Sequence, residues 1–140
     1  MKRRNFANLL LGTSFLGTMA SLLYPVIRYI LPPKQPEISV SRVKAANVGE
    51  LAPNTAKTFR FGNEPGLLIN TSSGDLLAFS AVCTHLTCNV RYEPETEIIL
   101  CPCHNGRFDL SGNVISGPPP APLESFQVEI SGNGIFISKK

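Results

Sequence analysis

The chain has 140 residues and a formal net charge of +3, a length that favours one domain with an appendage. The charge is unevenly placed: residues 1–34 hold five basic side chains and no acidic one, whereas residues 35–140 hold eight basic and ten acidic side chains. The excess positive charge therefore belongs to the N-terminus. Because the larger part of the chain is slightly acidic, we expect no nucleic-acid partner.

The first 31 residues predict a membrane anchor. Residues 6–27 contain no charged side chain, and such a stretch is long enough to cross a bilayer core of about 30 Å. A cleaved signal peptide would have a shorter apolar region, about 7–15 residues, followed by a small-residue cleavage site. We therefore interpret residues 1–31 as an uncleaved transmembrane helix surrounded by lipid, which Pro25 kinks or ends.

The basic residues before this helix predict export and orientation. Arg3 and Arg4 form a pattern typical of a twin-arginine (Tat) export signal, and basic flanks stay on the cytoplasmic side of a membrane. We expect a single-pass protein of a bacterial cytoplasmic (inner) or photosynthetic membrane. Its C-terminal domain would lie on the periplasmic or lumenal side, where disulfides persist.

Residues 32–37 form a proline-rich segment, which predicts an extended, semi-rigid linker. Residues 38–140 have no helical period, and turn residues separate their short apolar runs. This pattern predicts an all-β domain, an antiparallel β sandwich or barrel-like fold. The predicted strands are Ile38–Val43, Thr58–Phe61, Gly66–Thr71, Leu76–Val82, Asn89–Tyr92, Glu97–Leu100, Asn113–Ser116, Phe126–Ile130 and Ile135–Ser138.

Two short loops hold all four cysteines and both histidines of the chain. The first loop reads Cys-Thr-His-Leu-Thr-Cys at 83–88, and the second reads Cys-Pro-Cys-His-Asn-Gly at 101–106. Each loop can give one cysteine and one histidine to a four-ligand metal site. One cysteine per loop is then left over, and the two can pair in a disulfide.

Two metals suit this ligand set. Two cysteines with two histidines are a common zinc set, and a zinc-stabilised interaction module is one interpretation. Zinc-finger spacing, however, places two cysteines together and then two histidines together, whereas each loop here offers one of each. The pattern favours a [2Fe–2S] cluster in which two histidines replace two cysteines on one iron.

These two loops, followed by Gly-Pro-Pro-Pro-Ala-Pro at 117–122, resemble the Rieske protein of quinol-oxidising cytochrome bc-type complexes. The resemblance implies a Rieske fold with one [2Fe–2S] cluster in a tip that spans residues 83–123. The implied ligands are Cys83 and Cys101 on the inner iron and His85 and His104 on the outer iron. The resemblance also implies a disulfide between Cys88 and Cys103, a pair that the Rieske clusters of ring-hydroxylating oxygenases lack.

The resemblance implies an electron-transfer function. The subunit would take an electron from quinol bound on a cytochrome b partner and pass it to a c-type cytochrome or equivalent carrier. His104, more than His85, would accept a hydrogen bond from the quinol hydroxyl, and Leu86 and Pro102 would give the tip an apolar docking surface. The alternative is a Rieske electron-relay subunit of another periplasmic oxidoreductase, although the membrane anchor favours the first interpretation.

The chain departs from the family pattern in both loops. Thr87 stands where the family usually has glycine, and Asn-Gly-Arg-Phe at 105–108 replaces the usual Gly-Ser-x-Tyr. Two hydroxyls that donate hydrogen bonds to the cluster and to a cysteine sulfur are thus missing. Because such bonds raise the reduction potential, we expect a value in the lower part of the roughly −150 to +300 mV Rieske range. Such a potential suits menaquinol.

Overall fold

The structure is a computed structural model that describes residues 2–32 and 40–140. These residues form two units, the N-terminal helix and the β domain. The predicted linker at 32–37 lies outside the described residues except for Pro32, as do the first two residues of the predicted strand Ile38–Val43.

The N-terminal unit is one α-helix, α1, which runs over Arg3–Ile30. It is apolar and long enough to cross a membrane. Two of its hydroxyl groups form hydrogen bonds within the helix. The Thr13 hydroxyl donates to the Leu9 carbonyl at 3.0 Å, and the Thr18 hydroxyl donates to the Ser14 carbonyl at 2.9 Å. The helix continues past Pro25, so the expectation that this proline could end it is wrong.

The described residues of the second unit, 40–140, form ten β-strands. They are β1 Arg42–Asn47, β2 Thr55–Phe61, β3 Glu64–Asn70, β4 Leu76–Ser80, β5 Arg91–Glu93, β6 Ile98–Cys101, β7 Gly106–Phe108, β8 Val114–Ser116, β9 Ser125–Ser131 and β10 Gly134–Lys139. All strand pairs are antiparallel, in a six-stranded sheet of order β1-β10-β9-β4-β3-β2 and a four-stranded sheet of order β5-β6-β7-β8. The predicted all-β antiparallel fold is confirmed.

The six-stranded sheet buries side chains on both faces, because successive residues of a strand point in opposite directions. Its edge strands β1 and β2 contact each other, so the sheet is curled. Leu68 and Ile137 are fully buried on one face. Leu67 and Ile69 point to the other face and pack with Ile99 and Phe108 of the four-stranded sheet. This second core holds the four-stranded sheet, and the loops it carries, against the rest of the domain.

The structure differs from the predicted strands in both sheets. In the six-stranded sheet, β1 covers Arg42–Asn47 and overlaps the predicted Ile38–Val43 only at residues 42 and 43. The sequence pattern does not predict β7, because Gly106, Arg107 and Phe108 are too few to show an alternation. β5 begins at Arg91 rather than at the predicted Asn89. Asn89 instead forms an isolated bridge with Val82, and this bridge closes the first loop.

Candidate metal centre

The first loop, residues 83–88, is closed by its own backbone. The Cys83 amide donates to the Cys88 carbonyl at 2.8 Å, and the Thr87 amide donates back to the Cys83 carbonyl at 3.1 Å. The bridge between Val82 and Asn89 extends this pairing by one step. The loop is therefore a compact turn whose two cysteines lie at its ends.

The second loop, residues 101–106, is the hairpin turn between β6 and β7. Cys101 and Gly106 are paired across the two strands, so the four residues between them form the turn. Antiparallel pairing fixes the position of Cys101 on the buried face of β6, next to Ile99 and Phe108 in the same core. The intervening Pro102, Cys103 and His104 are exposed.

Cys83 and Cys101 are the two free cysteines, and each is only 2 % exposed. Burial raises the pKa of the Cys83 thiol, and the neighbouring Cys101 raises it further, whereas hydrogen bonds from the loop backbone at His85 and Leu86 lower it. The two thiols thus lie close together in an apolar core.

Cys88 and Cys103 are joined in a disulfide, as the resemblance implies. It ties the end of the first loop to the turn of the second. The Cys101 sulfur lies within 4.8 Å of both disulfide sulfurs. These three sulfurs do not make a separate metal site, because a disulfide sulfur has no thiolate charge to offer a metal.

His85 and His104 bring the two loops together at the outer side of the site. Their ring centroids are 4.8 Å apart and their planes nearly perpendicular. The Nδ1 atom of His85 is buried and has no hydrogen-bond partner among the described residues. Buried polar atoms are almost always partnered, so an unpartnered nitrogen fits a metal ligand. His104, by contrast, is exposed.

The four predicted ligands fit a mixed-ligand cluster. Two buried thiols lie on the inner side, while two facing imidazoles lie on the outer side and come from the same two loops. This donor set is that of a Rieske [2Fe–2S] centre, in which sulfur binds one iron and nitrogen the other. The assignment of the individual ligands stays a prediction.

A third loop, residues 117–122, which we call the proline loop, contacts both others. The Thr84 hydroxyl of the first loop donates to the Ala121 carbonyl at 2.7 Å. On the second loop, a Cβ placed on Gly117 would lie 2.8 Å from the Gly106 Cα, and Gly117 has φ +99°. Only glycine suits this position, because it combines left-handed backbone with direct backbone contact.

The departures from the family pattern have distinct structural effects. Thr87 and Asn105 have φ values of +57° and +55°, so both adopt the left-handed conformation at positions where the family usually has glycine. Asparagine tolerates this conformation, whereas a β-branched residue such as threonine is strained in it. Phe108 is fully buried, and its ring offers no hydrogen-bond donor.

Sequence reasoning did not single out Thr84 or Pro119. Thr84 lies between two predicted ligands, but its bond to the proline loop depends on a residue 37 positions away. Pro119 is the buried proline of the proline loop, and nothing in a run of three prolines tells which one is buried.

Comparisons with known proteins agree with this geometry. The Rieske [2Fe-2S] domain model matches residues 41–127. A cytochrome b6-f complex iron-sulfur subunit from Chlorobaculum thiosulfatiphilum is 37% identical over 138 residues, which are 99% of this chain and 76% of that protein. A cyanobacterial plasma membrane Rieske protein from Synechocystis PCC 6803 superimposes with a TM-score of 0.62 at 26% identity, over 69% of this chain and 98% of the other.

A chain of a hyperthermophilic respiratory complex III is similar over a longer stretch. It superimposes with a TM-score of 0.55 at 26% identity, over 89% of this chain and 97% of that one. The fold and the family match define an iron–sulfur electron carrier. The chain belongs to the Rieske [2Fe-2S] family, in the branch that contains the iron–sulfur subunits of cytochrome bc-type complexes. The resident cofactor is therefore one Rieske-type [2Fe–2S] cluster.

Proposed function

We propose that this chain is the Rieske subunit of a quinol-oxidising cytochrome bc-type complex, and that Cys83, Cys101, His85 and His104 hold its cluster. The observation that carries the proposal is the presence, on the same two loops, of two buried free thiols and two imidazole rings in edge contact. The names of the cytochrome b6-f relatives support the same kind of complex. The bound cluster takes up and releases one electron at a time.

The residues of the two loops have different roles in this reaction. Cys83 and Cys101 fix the cluster in the core, away from water. His104 lies at the exposed surface, where its free ring nitrogen accepts a hydrogen bond from the quinol hydroxyl and then its proton. His85 has its Nδ1 atom buried and is the second candidate for this contact.

The surface around the histidines is suited to docking on a membrane protein. Leu86 of the first loop is 61 % exposed, and Pro102 of the second loop is also exposed. Apolar residues of this kind around an exposed ligand favour a dry contact with a quinol pocket. The partners are therefore a cytochrome b that holds the quinol and a c-type cytochrome or equivalent carrier that accepts the electron.

The donor that fits best is menaquinol. Gly106 and Phe108 cannot donate a side-chain hydrogen bond to the cluster sulfurs, and fewer such bonds mean a lower reduction potential. A cluster with a low reduction potential takes electrons readily only from a quinol whose own reduction potential is also low. A midpoint at the top of the Rieske range would contradict this part of the proposal.

Helix α1 anchors the chain as a single-pass membrane protein. We propose residues 1–31 as anchor and Tat signal, 32–37 as linker and 38–140 as a β domain outside the cytoplasm, with its cluster tip at 83–123. Protease added to right-side-out spheroplasts should release the β domain near Pro32–Pro36. Protection in this orientation, with cleavage in inverted vesicles, would mean that the anchor is reversed.

The alternative is an electron-relay subunit of another periplasmic oxidoreductase, which would not contact quinone. Purification of the full chain from its membrane in mild detergent distinguishes the two. Co-purification of a diheme cytochrome b, and reduction of the cluster by added quinol in the purified complex, are expected. A chain that purifies with another oxidoreductase and no cytochrome b would favour the relay.

A further inference from the structure

A row of side chains crosses the outer face of the four-stranded sheet next to the second loop. The register pairs Arg91 with Leu100, Leu100 with Arg107, and Arg107 with Ser116. Directly opposed residues of antiparallel strands place their side chains on the same face, with Cβ atoms about 5 Å apart. Because Ile99 is buried in the core and successive residues alternate, this row faces outward. We call these four paired residues the arginine row.

The two arginines of this row are not neutralised by the protein itself. Arg91 and Arg107 are exposed, and neither has an ion-pair partner among the described residues. Two strand spacings, about 10 Å, separate them, so their fields combine into one positive patch. Leu100 lies between them and is half-buried. Arginine around an apolar centre is a composition that is typical of protein interfaces.

The acidic side chains of the same sheet lie at its other end. Glu93 ends β5, and Glu95 and Glu97 follow in the turn before β6. The arginine row, by contrast, is next to the Cys101–Gly106 pair, one residue step or about 3.4 Å along the strands. The sheet is therefore positive beside a predicted ligand and negative at the end away from it.

This polarity favours a protein partner over a membrane surface. A bilayer of anionic lipids is negative over its whole area, so the acidic turn would be repelled while the arginine row is attracted. A protein with a local acidic patch can contact the arginine row alone. Because the row is next to the predicted ligand Cys101, a protein bound there also lies beside the cluster site.

We propose that the arginine row is the docking surface for the protein that accepts the electron, and that this partner presents an acidic surface around its own redox centre. One electron then passes from the reduced cluster to the oxidised partner, and no bond forms or breaks. A basic partner is disfavoured by like charge. The inference rests on the proposed function, which names an acceptor but no surface for it.

Electron transfer to two added acceptors tests the charge of the partner. The full-length, cluster-containing chain is placed in nanodiscs of neutral phosphatidylcholine and reduced. Its oxidation by an acidic c-type cytochrome, and separately by a basic one, is followed by stopped flow. The variants are R91Q, R107Q and R91Q/R107Q. K44Q is the matched control, because Lys44 is an exposed basic residue of β1 in the other sheet.

We expect the acidic cytochrome to oxidise the parent with a second-order rate constant that falls as salt is added, because salt screens the attraction. At low ionic strength R91Q/R107Q should lower this rate constant about tenfold and each single variant about threefold, whereas K44Q should lower it by no more than about twofold. The rate constant for the basic cytochrome should rise in R91Q/R107Q, because the removed charges repel it.

A change in the midpoint of the cluster would alter both rate constants in the same direction, so opposite responses are specific to docking. An unchanged rate constant in R91Q/R107Q, equal losses with both cytochromes, or an equal loss in K44Q would overturn the inference. So would a difference between parent and R91Q/R107Q that appears only when anionic phosphatidylglycerol is added to the nanodiscs, because the row would then bind lipid. A parent chain that carries no cluster would instead refute the proposed function, so the two failures are distinguishable.

Discussion

The two cluster loops offer the same ligand types but differ in exposure. In the first loop Cys83 is buried and His85 is half-buried, with its Nδ1 atom turned inward. In the second loop Cys101 is buried but His104 is exposed. The first loop is a self-closed turn, whereas the second is a strand hairpin covered by the proline loop.

This difference assigns separate tasks to equivalent residues. In the proposed function, Cys83 and Cys101 secure the cluster in the core, and the exposed imidazole of His104 is the one that reaches the quinol. The first loop contributes the exposed apolar side chain of Leu86. Electron transfer from a quinol in a membrane pocket requires a redox centre that is held in place and one ligand of that centre that the quinol can contact.

The largest effect is expected from removal of a ligand in either loop. H85A and C101A should each abolish the cluster, because each removes one of the four proposed ligands and leaves an open coordination position. Visible absorption and the paramagnetic resonance signal of the reduced protein measure the loss. L86A, which changes the residue next to His85, is the matched control and should retain the signal while slowing quinol oxidation in the complex.

Full retention of the cluster by either ligand variant would contradict the ligand set. Loss of the cluster from L86A to the same extent would show that the assay reports general damage to the tip rather than ligation.

The disulfide between the loops is expected to have the next largest effect. C88S should assemble some cluster but lose it faster, because the loops are then held together only by the cluster and the proline loop. Closing a loop of 15 residues corresponds to about 3 kcal/mol of stabilisation. The apparent melting temperature and the cluster lifetime should both fall, and a C88S protein as robust as the parent would exclude this role.

Substitution of the two loop residues with positive φ, Thr87 and Asn105, is expected to have a smaller effect on stability. T87G should stabilise the domain by about 0.5–1 kcal/mol, because it relieves the strain of a β-branched residue at positive φ. The gain is not larger because glycine also increases the conformational entropy of the unfolded chain. N105G should change stability by less, since asparagine tolerates this conformation. Thermal unfolding of both variants measures the difference. A destabilised T87G would mean that the Thr87 side chain makes a favourable contact.

The smallest effect is expected from a hydroxyl added to the core beside the second loop. F108Y places a donor on a ring that packs in the same cluster as Cys83 and Cys101. One hydrogen bond to a sulfur contributes about 1 kcal/mol, which corresponds to about 40 mV for one electron. The midpoint should rise by that order. An unchanged midpoint in a folded F108Y protein would show that the missing hydroxyl does not set the potential.

The apolar N-terminal helix, the all-β class and the two cysteine–histidine motifs could be predicted from the sequence because each depends on local spacing or composition. The motifs at 83–88 and 101–106 carry their chemistry in a few consecutive residues. The closeness of Gly106 to Pro119 and the bond from Thr84 to Ala121 could not be predicted, because both depend on how the proline loop returns to the tip. β7 was too short for its pattern to be detected.

The cluster content and the spectrum of the purified full-length chain test the central claim most directly. We predict two irons and two acid-labile sulfides per chain, and a paramagnetic signal of the reduced cluster that shows nitrogen couplings from two histidines and is lost in the H85A variant. One zinc per chain without iron, or an iron centre with cysteine ligands alone, would contradict the account.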